Sequence, residues 1–89
     1  MNEVEEGLKE FLVQKSATIL RIDHADVQWD SDIDEFGFDS MEVNRLCAEL
    51  NHELEISIQP VLFLEVTSLQ QLSEYLLKRF PIQVEQHCG

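Results

Sequence analysis

The chain has 89 residues, 44% of them hydrophobic, which predicts one small folded domain with a modest core. Its 18 acidic and 6 basic residues leave a net charge of −12, which would repel nucleic acid and anionic membrane surfaces and attract basic protein surfaces. There is no apolar run of about 18 residues and no basic N-terminal segment, so we expect neither a transmembrane helix nor a signal peptide.

The first predicted helix covers about Asn2 to Leu20. Its apolar residues recur at the spacing of one helical stripe, and they are Val4, Leu8, Phe11, Leu12 and Ile19. Gly7 lowers the helix propensity slightly.

Helical periodicity is lost over residues 21–39, a polar and acidic segment that is longer than most helix connections. We expect its isolated apolar residues to anchor it to the core: Ile22, Val27, Trp29, Ile33 and Phe36. A partner contact is the alternative for Trp29, but an anchor is favoured because the loop has few other large apolar groups.

The second predicted helix begins at Ser40 or Met41 and ends near Leu54. Its buried stripe consists of Val43, Leu46, Cys47, Leu50 and Leu54. Cys47 is predicted to be a small core residue, and Cys88 lies near the chain end, so the two cysteines are poor disulfide partners. Reduced thiols and a cytoplasmic location follow most simply.

A short third helix is predicted near Val61 to Glu65, because Pro60 suits a first helical turn. A fourth helix begins after Thr67, where Thr67 and Gln70 have the spacing of a capping box, and it ends before Pro81. Its apolar stripe consists of Leu69, Leu72, Leu76 and Phe80.

The predicted fold class is therefore all-α, a small four-helix bundle of three longer helices and one short third helix. Residues 1–80 would form the domain. Residues 81–89 are predicted to be an irregular tail or linker.

The boundary between the acidic loop and the second helix, residues 35–41, is the segment with the clearest chemistry. Asp39 and Glu42 have capping-box spacing, which would make Ser40 the first helical residue and leave its hydroxyl free. A phosphodiester on that hydroxyl would be favoured by the positive end of the helix dipole. Gly37 permits a positive φ before the helix. The alternative is that Ser40 is itself the N-cap.

This segment resembles the phosphopantetheine attachment site of acyl carrier proteins, in which Gly-x-Asp-Ser-apolar opens the second helix. The matching residues are Gly37, Phe38, Asp39, Ser40 and Met41. The resemblance extends from about Glu3 to Phe80, although Val66 stands where the family often has proline. It implies an acyl carrier fold and a 4'-phosphopantetheine arm, derived from coenzyme A and esterified to Ser40, whose thiol holds acyl groups as thioesters.

The resemblance further implies a chain that catalyses nothing itself and is a monomer or part of a larger polypeptide. Its partners would be a phosphopantetheinyl transferase and biosynthetic enzymes with basic docking faces, such as a ketosynthase and an acyltransferase. The expected docking face comprises Ser40, Met41, Glu42, Asn44, Arg45 and Ala48, with Asp32, Asp34, Glu35 and Asp39 around it. Met41 would contact a partner that reaches Ser40.

The pathway is indicated by departures from carriers of fatty-acid synthesis, which tend to have a strongly acidic second helix and a small residue before Asp-Ser. Phe38 in that position, with Arg45 and His52 in the helix, resembles carrier domains of polyketide assembly lines more. A peptidyl carrier is less favoured, because Phe38 replaces the second glycine typical of that family.

A calcium site is a competing interpretation, because Asp30, Asp32 and Asp34 are spaced as the first ligands of an EF-hand loop. The register then fails, since Glu35 stands at the required glycine and Met41 at the required bidentate glutamate. A solvated acidic loop that holds a divalent ion weakly is favoured.

A nucleophilic role for Ser40 would require an adjacent base. His52 lies about 18 Å farther along the second helix, and His87 is in the tail. His24 is in the long loop, but the sequence lacks the Gly-x-Ser-x-Gly motif that a nucleophilic serine of this kind would occupy. Each histidine is favoured as a surface or packing residue. The remaining alternative to a carrier is an acidic helical interaction module with an unmodified Ser40.

Overall fold

The structure, a computed structural model, describes residues 3–88, and within that range it contains helices and no β-strand. The four α-helices are α1 (Glu3–Leu20), α2 (Ser40–Leu54), α3 (Leu69–Arg79) and α4 (Pro81–Cys88). Three 3₁₀ helices lie between them, at His24–Asp26, Ile33–Glu35 and Pro60–Leu64. The predicted all-α bundle is confirmed, while the predicted start of the first helix at Asn2 lies outside the described residues.

One hydrophobic core joins the helices, and the predicted stripes supply most of it. In α2, Leu46 and Leu50 have no exposed surface and Cys47 is buried beside them. The other buried members of the core are Leu8, Leu12, Ile19, Ile33, Phe38, Leu54, Ile58, Val66, Leu69, Leu72, Leu76 and Val84. Burial of such stripes supplies most of the stability of short helices, because isolated helices of this length are marginal in water.

The long connection between α1 and α2 is fastened to the start of α3. The N–H of Ile33 donates to the carbonyl of Thr67 at 2.9 Å, and the N–H of Gln70 donates to the carbonyl of Trp29 at 2.9 Å. Ile33 is buried, and Trp29 packs half-buried against the core below the Lys9 ammonium. The anchor interpretation of Trp29 is confirmed; of the other predicted anchors, Val27 and Phe36 also pack against the core, and Ile22 is partly buried.

The start of α3 lies one residue later than the predicted capping box. Ser68 is the N-cap, and its hydroxyl accepts the N–H of Gln71 at 3.1 Å. The Gln71 side chain in turn accepts the N–H of Thr67 at 3.2 Å. The pairing of Thr67 with Gln70 was wrong because the N–H of Gln70 is already bonded to the carbonyl of Trp29, a contact with a distant segment.

The predicted short third helix is the 3₁₀ helix at Pro60–Leu64, with proline in its first turn as expected. The segment that leads to it is held by α2, since the Asn51 side chain donates to the carbonyl of Ile58 and accepts its N–H, at 2.9 and 2.8 Å. Both backbone groups of Ile58 are thereby satisfied where the chain turns away from α2.

The expectation of an irregular tail after Pro81 is wrong, because residues 81–88 form α4. Pro81 ends α3 and is also the first residue of α4, a position that tolerates proline because its missing N–H would have no partner. Val84 is fully buried, and α4 packs against α1, α2 and α3. At Gly7 of α1 an added Cβ would lie 2.6 Å from the carbonyl oxygen of Cys88, so this glycine permits the close approach of the two helices.

Candidate functional site

The N-terminus of α2 presents Ser40 as its first helical residue. Asp39 is the N-cap: its carboxylate accepts the N–H of Met41 at 2.9 Å and that of Glu42 at 3.3 Å. The predicted capping by Asp39 is confirmed, and the alternative in which Ser40 is the cap is wrong. Ser40 is exposed, and its hydroxyl has no capping role.

The carboxyl groups of Asp39 and Glu42 influence each other. A side-chain hydrogen bond with Glu42 lowers the pKa of Asp39, and the N–H groups of Glu42 and Met41 act in the same direction. The same side-chain hydrogen bond raises the pKa of Glu42, helped by desolvation and by the charge of Asp39, while the Asp39 N–H opposes that rise. As the pH falls, Glu42 is therefore protonated before Asp39, whose negative charge lies next to the helix N-terminus.

The approach to Ser40 is shaped by Gly37 and Phe38. Gly37 has a φ of 121°, the positive φ expected from the sequence. Phe38 is only 3% exposed, and its ring meets the edge of the Phe36 ring with centroids 5.8 Å apart. Its N–H donates to the carbonyl of Ile33 at 3.1 Å. Phe38 is thus a core anchor that fixes the backbone two residues before Ser40.

The sequence pattern placed Phe38 in the attachment motif and made it a marker of the pathway, but its anchoring role was missed. The available signal was a second large apolar residue, beside Phe36, in an otherwise polar segment. A buried residue directly before the capping aspartate limits how far Asp39 and Ser40 can move, because a close-packed interior resists displacement.

The predicted docking residues are mostly, but not all, exposed. The exposed ones are Ser40, Met41, Asn44, Arg45, Ala48, Asp32, Asp34, Glu35 and Asp39. Met41 is 76% exposed, which is unusual for a large apolar side chain on a small domain. Glu42 is half-buried. The exposed face of α2, which is polar apart from Met41 and Ala48, therefore lies next to the end of the acidic loop at Asp32, Asp34, Glu35 and Asp39.

Ion pairs connect α1 to the side of α2. Lys15 of α1 pairs with Glu53 and, at 3.5 Å, with Glu49. The hydrogen bond and charge of Glu53, followed by the charge of Glu49, raise the pKa of Lys15 against the lowering effect of burial. Arg45 Nε lies 3.5 Å from the Glu49 carboxylate, one helical turn away. These four side chains neutralise one another along one flank of α2.

The histidines are distributed away from a catalytic arrangement around Ser40. The His87 ring packs against Phe11 at 4.8 Å between centroids, and His52 lies about 18 Å along α2 from Ser40. His24 is exposed and borders a shallow depression on α1.

Near the start of α2, a cavity of 230 Å³ is lined in part by Asp34, Phe38 and Val43. This volume is smaller than that of an ordinary ligand pocket, which is about 300 Å³ or more.

Over residues 3–88, the His, Cys, Asp and Glu side chains, with Asp30, Asp32 and Asp34 among them, form no group of three or more that could hold a metal ion. In the same range, every helix is too short or too polar to cross a membrane.

A phosphopantetheine arm fits the residues at this site. Ser40 supplies an exposed hydroxyl for a phosphodiester, and the positive end of the α2 dipole would favour the phosphate. Asp39 uses its carboxylate on backbone N–H groups rather than on the hydroxyl. The arm would extend into solvent, since Ser40, Met41 and Asn44 are all exposed.

Comparison with known proteins supports this assignment. The family profile described as a phosphopantetheine attachment site matches residues 10–76. The chain is also similar to polyketide synthase PksN from Bacillus subtilis (strain 168), with 24% identity over 74 residues. That match covers 83% of this chain and 1% of the synthase, so the chain spans only a small part of that relative. Because the profile covers most of the chain and includes Ser40, the chain belongs to the phosphopantetheine attachment family of acyl carriers, whose cofactor is covalently attached 4'-phosphopantetheine.

Proposed function

We propose that Ser40 is the attachment residue and that the chain carries acyl intermediates of polyketide biosynthesis. The observation that carries the assignment of Ser40 is the position of its hydroxyl, exposed on the first residue of α2 while Asp39 performs the capping. The Ser40 oxygen would bond to the phosphorus of the pantetheine phosphate of coenzyme A. The bond from that phosphorus to adenosine 3',5'-bisphosphate would break, and the serine proton would pass to a base of the transferase.

The role of this chain's own residues is display rather than catalysis. Phe38 and Ile33 hold the loop against the core, Gly37 turns it, and Asp39 sets the first turn of α2. The arm's terminal thiol supplies the nucleophile that holds an acyl group as a thioester. A rigid base with an exposed attachment point suits this task, because the loaded arm must be presented to separate active sites.

The polyketide assignment is supported by the similarity to PksN and by Phe38 and Arg45, which depart from the small residue and acidic helix of fatty-acid carriers. As an acyl carrier, the chain interacts with biosynthetic enzymes. We propose a phosphopantetheinyl transferase, a ketosynthase and an acyltransferase as its specific partners. We further propose that chemistry takes place on those partners and not on this domain.

The test is the intact mass of the purified chain after incubation with coenzyme A, Mg²⁺ and a broad-specificity phosphopantetheinyl transferase. We expect a gain of one phosphopantetheinyl group, mapped to the peptide that contains Ser40. The Ser40→Ala variant should gain none. Ser57→Ala is the matched control, since Ser57 is an exposed serine in the connection after α2, and it should be loaded like the wild type.

Loading of the Ser40→Ala variant would show that another residue is the attachment site. Absence of loading in a folded, initially unmodified wild-type chain would favour the alternative, an acidic interaction module with a free Ser40. Circular dichroism of each variant confirms that the comparison is made between folded proteins.

A further inference from the structure

The exposed surface of α2 differs in charge from the rest of this acidic chain. Its exposed residues are Ser40, Met41, Asn44, Arg45, Ala48 and His52, and none of them carries a carboxylate. The three glutamates of the helix, Glu42, Glu49 and Glu53, are all half-buried. In a chain with a net charge of −12, Arg45 is therefore the only permanently charged residue among the exposed residues of this helix.

The glutamates on the flank of α2 are already engaged. Lys15 lies between Glu49 and Glu53, and Glu49 also receives the Nε side of Arg45 at 3.5 Å. This local group of two cations and two carboxylates sums to zero. It cannot supply the negative potential that a basic partner would seek on the outer surface of the helix.

Arg45 itself remains available for a further contact. Its side chain is 66% exposed, and its contact with Glu49 is made through Nε. A guanidinium has five N–H donors in a planar fork, so the two terminal nitrogens can bind a second carboxylate in the bidentate geometry that arginine favours.

An enzyme that docks over the Ser40 hydroxyl comes within reach of Arg45. The two residues are separated by about 7.5 Å along the axis of α2. An ordinary protein interface buries about 800 Å² on each side, which corresponds to a patch about 16 Å in radius. A phosphopantetheinyl transferase has to bring coenzyme A to Ser40 itself, and an interface of that size centred on Ser40 would reach the position of Arg45.

We propose that Arg45 binds a carboxylate of the phosphopantetheinyl transferase that loads Ser40. The partner surface that docks on this carrier is then of mixed charge. It is basic where it faces Asp34, Glu35 and Asp39 at the end of the acidic loop, and acidic where it faces Arg45. This inference rests on the proposed attachment at Ser40, and it replaces a uniformly basic docking face with one that carries an acidic group at a defined position.

The experiment measures kcat and KM for loading by a broad-specificity phosphopantetheinyl transferase, with coenzyme A and Mg²⁺ saturating and the carrier varied. For Arg45→Glu we expect kcat/KM to fall at least about tenfold, mainly through KM, because two carboxylates would face each other. Arg45→Gln removes the charge without placing a carboxylate beside Glu49, so its kcat/KM should fall less than that of Arg45→Glu. Arg45→Lys should retain part of the activity, since it keeps the charge but loses the fork.

Lys78→Glu is the matched control. Lys78 is an exposed cation in the last turn of α3, and its reversal changes the net charge by the same amount as Arg45→Glu. Its kcat/KM for loading should stay within about twofold of the wild-type value if the effect of Arg45 is local rather than a general change in electrostatic attraction. Thermal unfolding of all variants verifies that they are folded.

Equal kcat/KM for Arg45→Glu and Lys78→Glu would overturn the proposal while leaving attachment at Ser40 intact. A fall in kcat alone, with KM unchanged for Arg45→Glu and Arg45→Gln, would also overturn it, because a docking contact acts on binding. Failure of the wild type to be loaded would instead contradict the proposed function.

Discussion

The Asp39 carboxylate accepts the N–H of Met41 at 2.9 Å and thereby spans the serine that lies between them. The same carboxylate accepts the N–H of Glu42 at 3.3 Å. Ser40 is consequently a helical residue with an exposed hydroxyl, although serine is one of the residues preferred at the N-cap itself. Because Asp39 performs the capping, the Ser40 hydroxyl is available for modification.

Loss of this cap should weaken the domain and the presentation of Ser40 together. We expect Asp39→Ala to lower the free energy of unfolding, the usual effect of removing a capping side chain. Urea denaturation measures the change, and phosphopantetheine loading should slow as the first turn of α2 frays.

The matched control is Asp23→Ala, because Asp23 precedes the 3₁₀ helix at His24–Asp26 without a side-chain capping bond. Asp23→Ala should change the free energy of unfolding by less than about 0.5 kcal/mol. Equal losses in the two variants would show that the bonds of Asp39 contribute nothing specific to α2.

The fourth α-helix should contribute to stability through one buried side chain. Val84 is fully buried, whereas Ile82 on the same helix is 66% exposed. We expect Val84→Ala to lower the free energy of unfolding by about 2 kcal/mol, since it leaves a cavity in a packed core. Ile82→Ala should change it by less than about 0.5 kcal/mol. Thermal or urea unfolding measures both, and a negligible effect of Val84→Ala would mean that residues 81–88 are a linker outside the folded unit.

The ion pairs of Lys15 predict a loss of stability in alkali. Its hydrogen bond with Glu53 raises the pKa of Lys15 in the folded state above the ordinary value of 10.5. For a cation with a raised pKa, the stabilisation is complete below the unfolded value and is lost as the pH rises through the folded value. Urea midpoints of the wild type should therefore decline above about pH 10.5, in the range where Lys15 loses its proton.

The variant Lys15→Met should have a lower urea midpoint at neutral pH and a smaller decline in alkali. Lys78→Met provides the comparison, since Lys78 is exposed in the last turn of α3, and it should behave as the wild type does. A Lys15→Met variant that declines as steeply as the wild type would show that the pairs with Glu49 and Glu53 do not govern this transition.

The two cysteines should be slow to react while the protein is folded. Burial raises the pKa of Cys47 and of Cys88, and the thiolate is the form that attacks alkylating reagents. In the loaded carrier, iodoacetamide near neutral pH should therefore modify one thiol rapidly, that of the arm. Mass spectrometry should find no rapid alkylation in Ser40→Ala, and both cysteines should react after unfolding in urea. Rapid alkylation of Cys47 in the folded variant would contradict its burial.

The amino-acid sequence by itself was sufficient for the features that depend on local pattern. The stripe of α2 follows from residues three and four apart, and its buried members Leu46 and Leu50 were predicted correctly. Capping by Asp39 and the positive φ of Gly37 involve residues within one turn of each other, so the chemistry of each residue type was enough. Family membership followed from the same short segment.

Tertiary structure decided the features that join distant parts of the chain. The N-cap of α3 is Ser68 because the carbonyl of Trp29 takes the N–H of Gln70. The burial of Phe38 depends on the same docking of the loop onto the core. Helix α4 has a weak pattern of its own and exists as a packed element because α1 offers Gly7 at the point of close approach. A weakly patterned helix of this length gains its stability from such contacts and not from intrinsic propensity, which is why the sequence alone did not reveal it.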